Sequence, residues 1–201
     1  MFNGILDKLK GTIGGKMGEL NRLLFLSIND LAGKNKILDK IGVILGENGP
    51  FLFIGLIIFI YFIRKNKKEA IYATITVVLA ILLNRVVEIF YFHPRPFIEG
   101  LGVVLKEHAP DSSFPSDHTT FMLALSWALI MFKDTKKMGK IMLTLGVFLG
   151  LCRVFEGVHW PFDILGALIM GYFAGVVVVK SEKILKPLVD MILGIDRKIF
   201  K

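Results

Sequence analysis

Residues 70 to 92 form a largely apolar run of 23 residues. As a helix it would cover about 34 Å at roughly 1.5 Å per residue, enough to cross the hydrocarbon of a bilayer. Three further runs follow, near 117 to 132, 140 to 156 and 161 to 179, and an earlier one lies near Ile41 to Ile63. Apolar residues make up 54% of the chain and the mean hydropathy is +0.62, values that suit spans rather than a soluble core. The expected fold is an all-α polytopic membrane helical bundle of about five or six transmembrane helices. The motif GENGP at 46 to 50 interrupts the first run, and its Gly and Pro residues are expected to bend it.

Loop charge gives an orientation, because Lys and Arg near span ends tend to stay cytoplasmic. Arg64, Lys65, Lys67 and Lys68 form one cluster, Lys133, Lys136, Lys137 and Lys140 a second, and Lys180, Lys183 and Lys186 a third. Alternating spans put all three on one side, expected to be inside. The connections 93 to 117 and 157 to 160 then face out, into the extracytoplasmic space of a plasma-membrane protein. Residues 41 to 180 are read as the integral membrane domain. Residues 1 to 40 are read as an amphipathic interfacial segment, although part of 20 to 46 could instead dip into the bilayer and return. Residues 181 to 201, which mix Ile, Leu and Phe with Lys and Arg, are expected to lie as a cytoplasmic amphipathic tail.

Asp7, Lys8 and Lys10 interrupt the apolar residues near the start, so no signal peptide is expected. The single Cys152 excludes an intramolecular disulfide. The net charge of +8 sits beside the spans, which points to anionic lipid headgroups and not to nucleic acid.

Three segments carry chemistry. In HPRPF, 93 to 97, two prolines break the helix and hold Arg95 in an extended stretch, where a guanidinium can fork onto two phosphate oxygens. Taken alone, such an Arg could equally snorkel to headgroups. In FPSDH, 114 to 118, Pro115 suits a first helical turn and Ser116 can cap it, leaving a positive helix end that favours phosphate. His118 in that turn can deliver a proton to a leaving oxygen. In CRVFEGVHWPFD, 152 to 163, Pro161 marks the next helix start, with His159 just outside and Asp163 within it. Asp163 can accept a hydrogen bond from one ring nitrogen of His159 and leave the other free to attack. Arg153 ends the preceding span and faces the same mouth.

Arg95-Pro96, Pro115-Ser116-Asp117-His118, and Arg153 with His159 and Asp163 resemble, in order and spacing, the three signatures of the type 2 phosphatidic acid phosphatase superfamily. The resemblance covers about residues 40 to 180. YFHPRPF and SFPSDHTT further resemble its bacitracin-resistance branch of undecaprenyl pyrophosphate phosphatases. The resemblance implies that His159 attacks phosphorus, that Asp163 orients it and that His118 protonates the leaving group and then activates water. It also implies that Arg95, Arg153, Ser116 and the amides of Asp117 and His118 hold the phosphoryl oxygens, with no metal and no other cofactor.

There are two departures from the family pattern. Its first signature usually begins with a Lys seven residues before the Arg, and that position is Glu88. Arg85, three residues earlier on nearly the same helical face, either supplies the missing charge or pairs with Glu88. Cys152 replaces the usual Ser before Arg153 and is expected to pack. Glu156, three residues from Arg153, can restrain its guanidinium. His108 and Glu107 sit in the outer loop, where they could touch a headgroup or seal the site, although a solvated loop is the favoured reading; His93 is read as interfacial.

The implied activity is removal of the terminal phosphate from an isoprenoid pyrophosphate, the partners being that lipid and the surrounding membrane lipids. Phosphatidylglycerol phosphate, phosphatidic acid and diacylglycerol pyrophosphate are alternative substrates, and transfer of the phosphoryl group to another lipid an alternative reaction. A transporter or channel using Asn84, Arg85 and Glu88, or a haem protein using His118 and His159, would leave Arg95, Arg153 and Asp163 unexplained.

Overall fold

The computed structural model describes the backbone of residues 2–199 and the side chains of residues 15–199. The described residues form seven α-helices and one short 3-10 turn, with no strand. The helices are α1 Phe2–Asn29, α2 Lys36–Phe62, α3 Lys67–Phe90, α4 Asp117–Met131, α5 Lys136–Phe155, α6 Pro161–Lys180 and α7 Glu182–Ile199; the 3-10 turn is Pro96–Glu99. Four of them, α2, α3, α5 and α6, are each long and apolar enough to cross a membrane. Their outward faces carry bulky apolar residues such as Phe51, Ile89, Phe90, Ile141, Ile169 and Phe173, a surface suited to lipid and costly in water. The chain is a multi-pass membrane protein.

α4 is the hub of the bundle, packed against α2, α3, α5 and α6. Nine of its 15 residues are buried, including Met122, Leu123, Leu125 and Leu129. Close approach to α4 depends on glycine. A Cβ at Gly139 of α5 would stand 2.6 Å from the Ile130 amide nitrogen, and one at Gly171 of α6 would stand 2.9 Å from that of Ala124. Small residues let membrane helices approach until backbones touch, where van der Waals packing replaces the hydrophobic drive that lipid cannot supply.

The apolar runs and the helices agree at most ends, but the run near 117 to 132 becomes the 15-residue α4, shorter than a span needs, so among the described residues four helices and not five or six are long and apolar enough to cross. α2 runs unbroken through Gly46 to Pro50 and starts at Lys36, capped by Asn35, whose Oδ1 accepts from the amides of Ile37 at 2.9 Å and Leu38 at 3.2 Å. Pro50 removes only one amide donor. Gly42, Gly46 and Gly49, all buried, pack this stretch onto α5 and α4 and hold it helical.

The segment preceding α2 is a helix that lies at one end of the bundle, where it docks on downstream loops. Asn29 of α1 is fully buried; its Nδ2 donates to the carbonyls of Val103 and Phe155, each at 2.9 Å, and its Oδ1 accepts from the Val103 amide at 2.7 Å. Asn21 accepts from the Phe162 amide at 3.0 Å, and the Phe25 ring lies 5.2 Å from that of Trp160. At the opposite end α7 folds back onto α3 and α6, where Lys67 meets Asp196 at 2.5 Å and Lys68 meets Glu182 at 2.6 Å.

Candidate active site

The connections 91–116 and 156–160 share the end of the bundle that α1 covers. α3 stops at Phe90, because Pro94 and Pro96 cannot continue it, and Arg95 enters an extended backbone at φ −71°, ψ 156°. Trp160 Nε1 donates to the Pro94 carbonyl at 2.8 Å, and the Ser113 amide donates to the His93 carbonyl at 2.8 Å, so the segment is tied on two sides.

Arg95 is 4% exposed and almost fully engaged. Its Nε donates to Asp111 Oδ1 at 2.8 Å, its Nη1 to the Val158 carbonyl at 2.7 Å and its Nη2 to the Ser112 carbonyl at 3.4 Å. The same Nη1 lies 3.3 Å from His159 Nε2. His159 Nδ1 lies 3.2 Å from Asp163 Oδ2, which also accepts from the Trp160 amide at 2.8 Å as α6 begins. A guanidinium only donates, so Nε2 must present its lone pair to Arg95, and the ring proton sits on Nδ1 facing the carboxylate. Burial first, and then the charges of Arg95 and Arg153, hold the imidazole well below its usual range. His159 is thus a neutral ring with one oriented, unprotonated nitrogen.

Arg153 is fully buried at the end of α5. Its Nη1 makes ion pairs with Glu156, at 2.7 Å, and with Glu47 of α2. Nε and Nη2 are buried and have no partner among the described residues. Ser116 caps α4, its Oγ accepting from the Thr119 amide at 3.5 Å and lying 3.0 Å from Thr119 Oγ1. Helix geometry leaves the amides of Asp117 and His118 without an acceptor inside α4. A cavity of about 180 Å³ opens against this end, lined by Arg95, His118 and His159 with Pro115, Asp117, Glu88, His108, Asp111 and Ser112.

A larger cavity of about 510 Å³ lies at the opposite end between α2, α3 and α7, but its walls are chiefly Ile, Phe and Ala. It does not gather a nucleophile, a base and a cation together, so the smaller cavity is the candidate site.

The PAP2 superfamily matches residues 69–185, more than half of the chain. The chain belongs to the PAP2 superfamily. Over 178 residues, 88% of this chain and 91% of the relative, it is 34% identical to Undecaprenyl-diphosphatase BcrC of Bacillus subtilis. It is 32% identical to the Bacitracin transport permease protein BcrC of Bacillus licheniformis, over 80% of this chain and 79% of that one. Among solved structures, LpxE of Aquifex aeolicus superposes with a TM-score of 0.68 at 24% identity, covering 80% of this chain and 95% of that one, a likeness of fold.

Within this PAP2 framework the structure brings Arg95, Pro115, Asp117, His118, His159 and Glu88 to one cavity, with Asp163 behind His159 and Ser116 capping α4. Arg153 does not line the cavity, and neither does Arg85. Arg85 Nη1 meets Glu88 and its Nη2 meets Asp117, both at 2.5 Å, so its charge is shared between two carboxylates. Asn84 adds a bond to Asp117 at 2.8 Å and one to Thr120 at 3.0 Å. Asn84, Arg85 and Glu88, which could have lined a transport pathway, are all tied into the site end of α3 and α4.

Several neighbours escaped the sequence reading. His108 takes the less favoured of its readings and sits on the cavity rather than in solvent: its ring centroid is 6.5 Å from that of His159, and burial lowers its affinity for a proton. His93 lies behind the site, with Nδ1 2.9 Å from Ser113 Oγ and 3.8 Å from Asp163 Oδ1. Asp111 and Glu47, the partners of Arg95 and Arg153, had no motif to mark them. Glu47 did carry one signal, since an acid inside an apolar span asks for a partner.

Proposed function

We propose that this protein is a membrane lipid phosphatase that removes the terminal phosphate of undecaprenyl diphosphate, through a phosphohistidine at His159. The observation that carries this reading is the arrangement of His159, with Asp163 behind Nδ1, Arg95 beside Nε2 and His118 on the same cavity. BcrC of Bacillus subtilis, 34% identical and named an undecaprenyl-diphosphatase, supports the choice of lipid.

His159 Nε2 forms a bond to the terminal phosphorus while the bridging P–O bond breaks. His118 gives its proton to the departing polyprenyl phosphate. Neutral His118 then takes a proton from water, the hydroxide attacks the phosphohistidine, the P–N bond breaks and inorganic phosphate leaves. Asp163 stabilises the positive charge that develops on the His159 ring. Arg95, Arg153 and the amides of Asp117 and His118 hold the three phosphoryl oxygens as charge spreads over them. The lipid chain stays in the bilayer beside the bundle.

The site faces the extracytoplasmic side of the plasma membrane, residues 41–180 form the membrane domain, and α7 lies along the inner surface. The lysine clusters at 64–68, 133–140 and 180–186, at the end away from the cavity, support this orientation. Labelling a cysteine placed at Asn66 in intact cells, with Cys152 replaced by Ser, checks it: outside reagent should not react.

The function is tested by measuring phosphate release from undecaprenyl diphosphate, phosphatidylglycerol phosphate, phosphatidic acid and diacylglycerol pyrophosphate by purified protein and by His159→Ala. Undecaprenyl diphosphate should lead the ranking, and His159→Ala should release none. Equal activity in the two proteins would sink the mechanism.

A further inference from the structure

We infer that Glu47, which lies outside the PAP2-matched residues, is a positioning residue that aims the free edge of Arg153 at the phosphoryl group and locks the outer loop over it. The inference rests on the phosphatase reading only in taking the ligand to be a phosphoryl group.

A guanidinium offers five N–H groups along a planar fork, and its two edges can do different work. In Arg153 one terminal nitrogen, Nη1, is committed to Glu47 and Glu156. The other edge, Nε and Nη2, is buried and has no partner among the described residues. Leaving two donors of a buried cation unpaired is costly unless a ligand completes them. That edge presents two parallel N–H groups, which matches two oxygens of a phosphoryl group. Fixing Nη1 from two sides prevents the side chain from turning its open edge elsewhere.

Glu156 alone could not set that direction, because it stands on the same helix end, three residues from Arg153. Glu47 comes from α2 and supplies a second, independent anchor. The room for it is built into the helix: a Cβ at Gly46 would lie 3.0 Å from Glu156 Oε2 and 3.2 Å from Arg153 Cδ. Glu47 also has a second duty. Its Oε2 accepts from Lys106 Nζ at 2.6 Å, and Lys106 belongs to the loop that carries His108, Asp111 and Ser112 onto the cavity. One carboxylate thereby joins Arg153 to the loop that lines the cavity.

The test uses the full-length protein in detergent, with Glu47→Gln, Glu47→Asp and inorganic phosphate as the probe. Phosphate affinity is read from the rise of thermal unfolding temperature with phosphate concentration, and KM from lipid phosphate hydrolysis. Removing a negative charge near an anion site should by charge alone tighten phosphate binding. Positioning predicts the opposite sign: Glu47→Gln weakens phosphate binding and raises KM by about tenfold, with Glu47→Asp between it and wild type. Unchanged or tighter binding in Glu47→Gln would overturn the inference. If Glu47→Gln does not fold, Glu47→Asp decides, and wild-type phosphate affinity in that variant is the overturning result. If the wild type binds phosphate yet hydrolyses no lipid phosphate, the phosphatase reading fails while the effect of Glu47 on phosphate affinity is still measured.

Discussion

Arg95 sets its Nη1 3.3 Å from His159 Nε2, placing a guanidinium beside the nitrogen proposed to attack. Burial first, and then this cation, depress the basicity of the ring, so His159 remains unprotonated in acid where an ordinary imidazole would be charged. The acid limb of kcat/KM assigned to His159 should therefore fall below pH 6.5, the ordinary imidazole value. Arg95→Gln removes the cation, His159 then takes up a proton at higher pH, and the acid limb should move upward. The same variant should lose roughly a hundredfold or more in kcat/KM, because an oxyanion donor is gone. A pH–rate profile of both proteins checks the sign.

Asp163 holds the proton of His159 on Nδ1 through a 3.2 Å contact. Asp163→Asn keeps the shape but can donate to Nδ1, which would favour the ring form that carries its proton on Nε2. Turnover should fall by roughly a hundredfold or more with little change in KM. Steady-state kinetics on a single lipid phosphate separates the two parameters.

His118 is assigned both proton transfers, and the two can be separated by the leaving group. An aryl phosphate leaves without needing a proton, so His118→Ala should still form the phosphohistidine from it but hydrolyse it slowly. Rapid quenching in alkali, where phosphohistidine survives, should show the phosphoenzyme accumulating in this variant and in no variant of His159.

The exposed Arg85 neutralises Glu88 and Asp117, both on the cavity wall. Arg85→Ala should leave two uncompensated carboxylates beside an anionic substrate. KM should rise several-fold with kcat little changed, while stability moves by about 1 kcal/mol or less, as expected for exposed pairs. An unchanged KM would end the idea that Arg85 compensates for the missing Lys.

Gly171 tests the hub. A Cβ there would stand 2.9 Å from the Ala124 amide nitrogen and 3.0 Å from the Leu123 carbonyl carbon, both backbone atoms of α4 that cannot rotate away. Gly171→Ala should separate α6 from α4 and cost about 1–3 kcal/mol, seen as a lower unfolding temperature in detergent.

The spans were legible because hydrocarbon demands length and apolarity, which a run such as 70 to 92 displays directly. The site residues were legible where helix breaks repeat beside them, as at Pro94, Pro115 and Pro161. What the chain did not reveal is how those breaks are braced. Asp111 binds Arg95 from 16 residues away and Glu47 binds Arg153 from 106, and neither distance follows a helical period. GENGP, expected to bend the first run, lies inside a continuous α2, because the packing of α2 on α5 and α4 keeps it helical.

The Asn29 clasp bears on how the molecule is made. Its partners Val103 and Phe155 lie 74 and 126 residues downstream, so the second half of α1 leaves the ribosome long before the surfaces that receive it exist. Ordering a contact of that separation is slow, because the intervening chain must be placed first. Asn29 can therefore be seated only after Phe155 has emerged, so α1 docks on the bundle late, once the loops that receive it are in place.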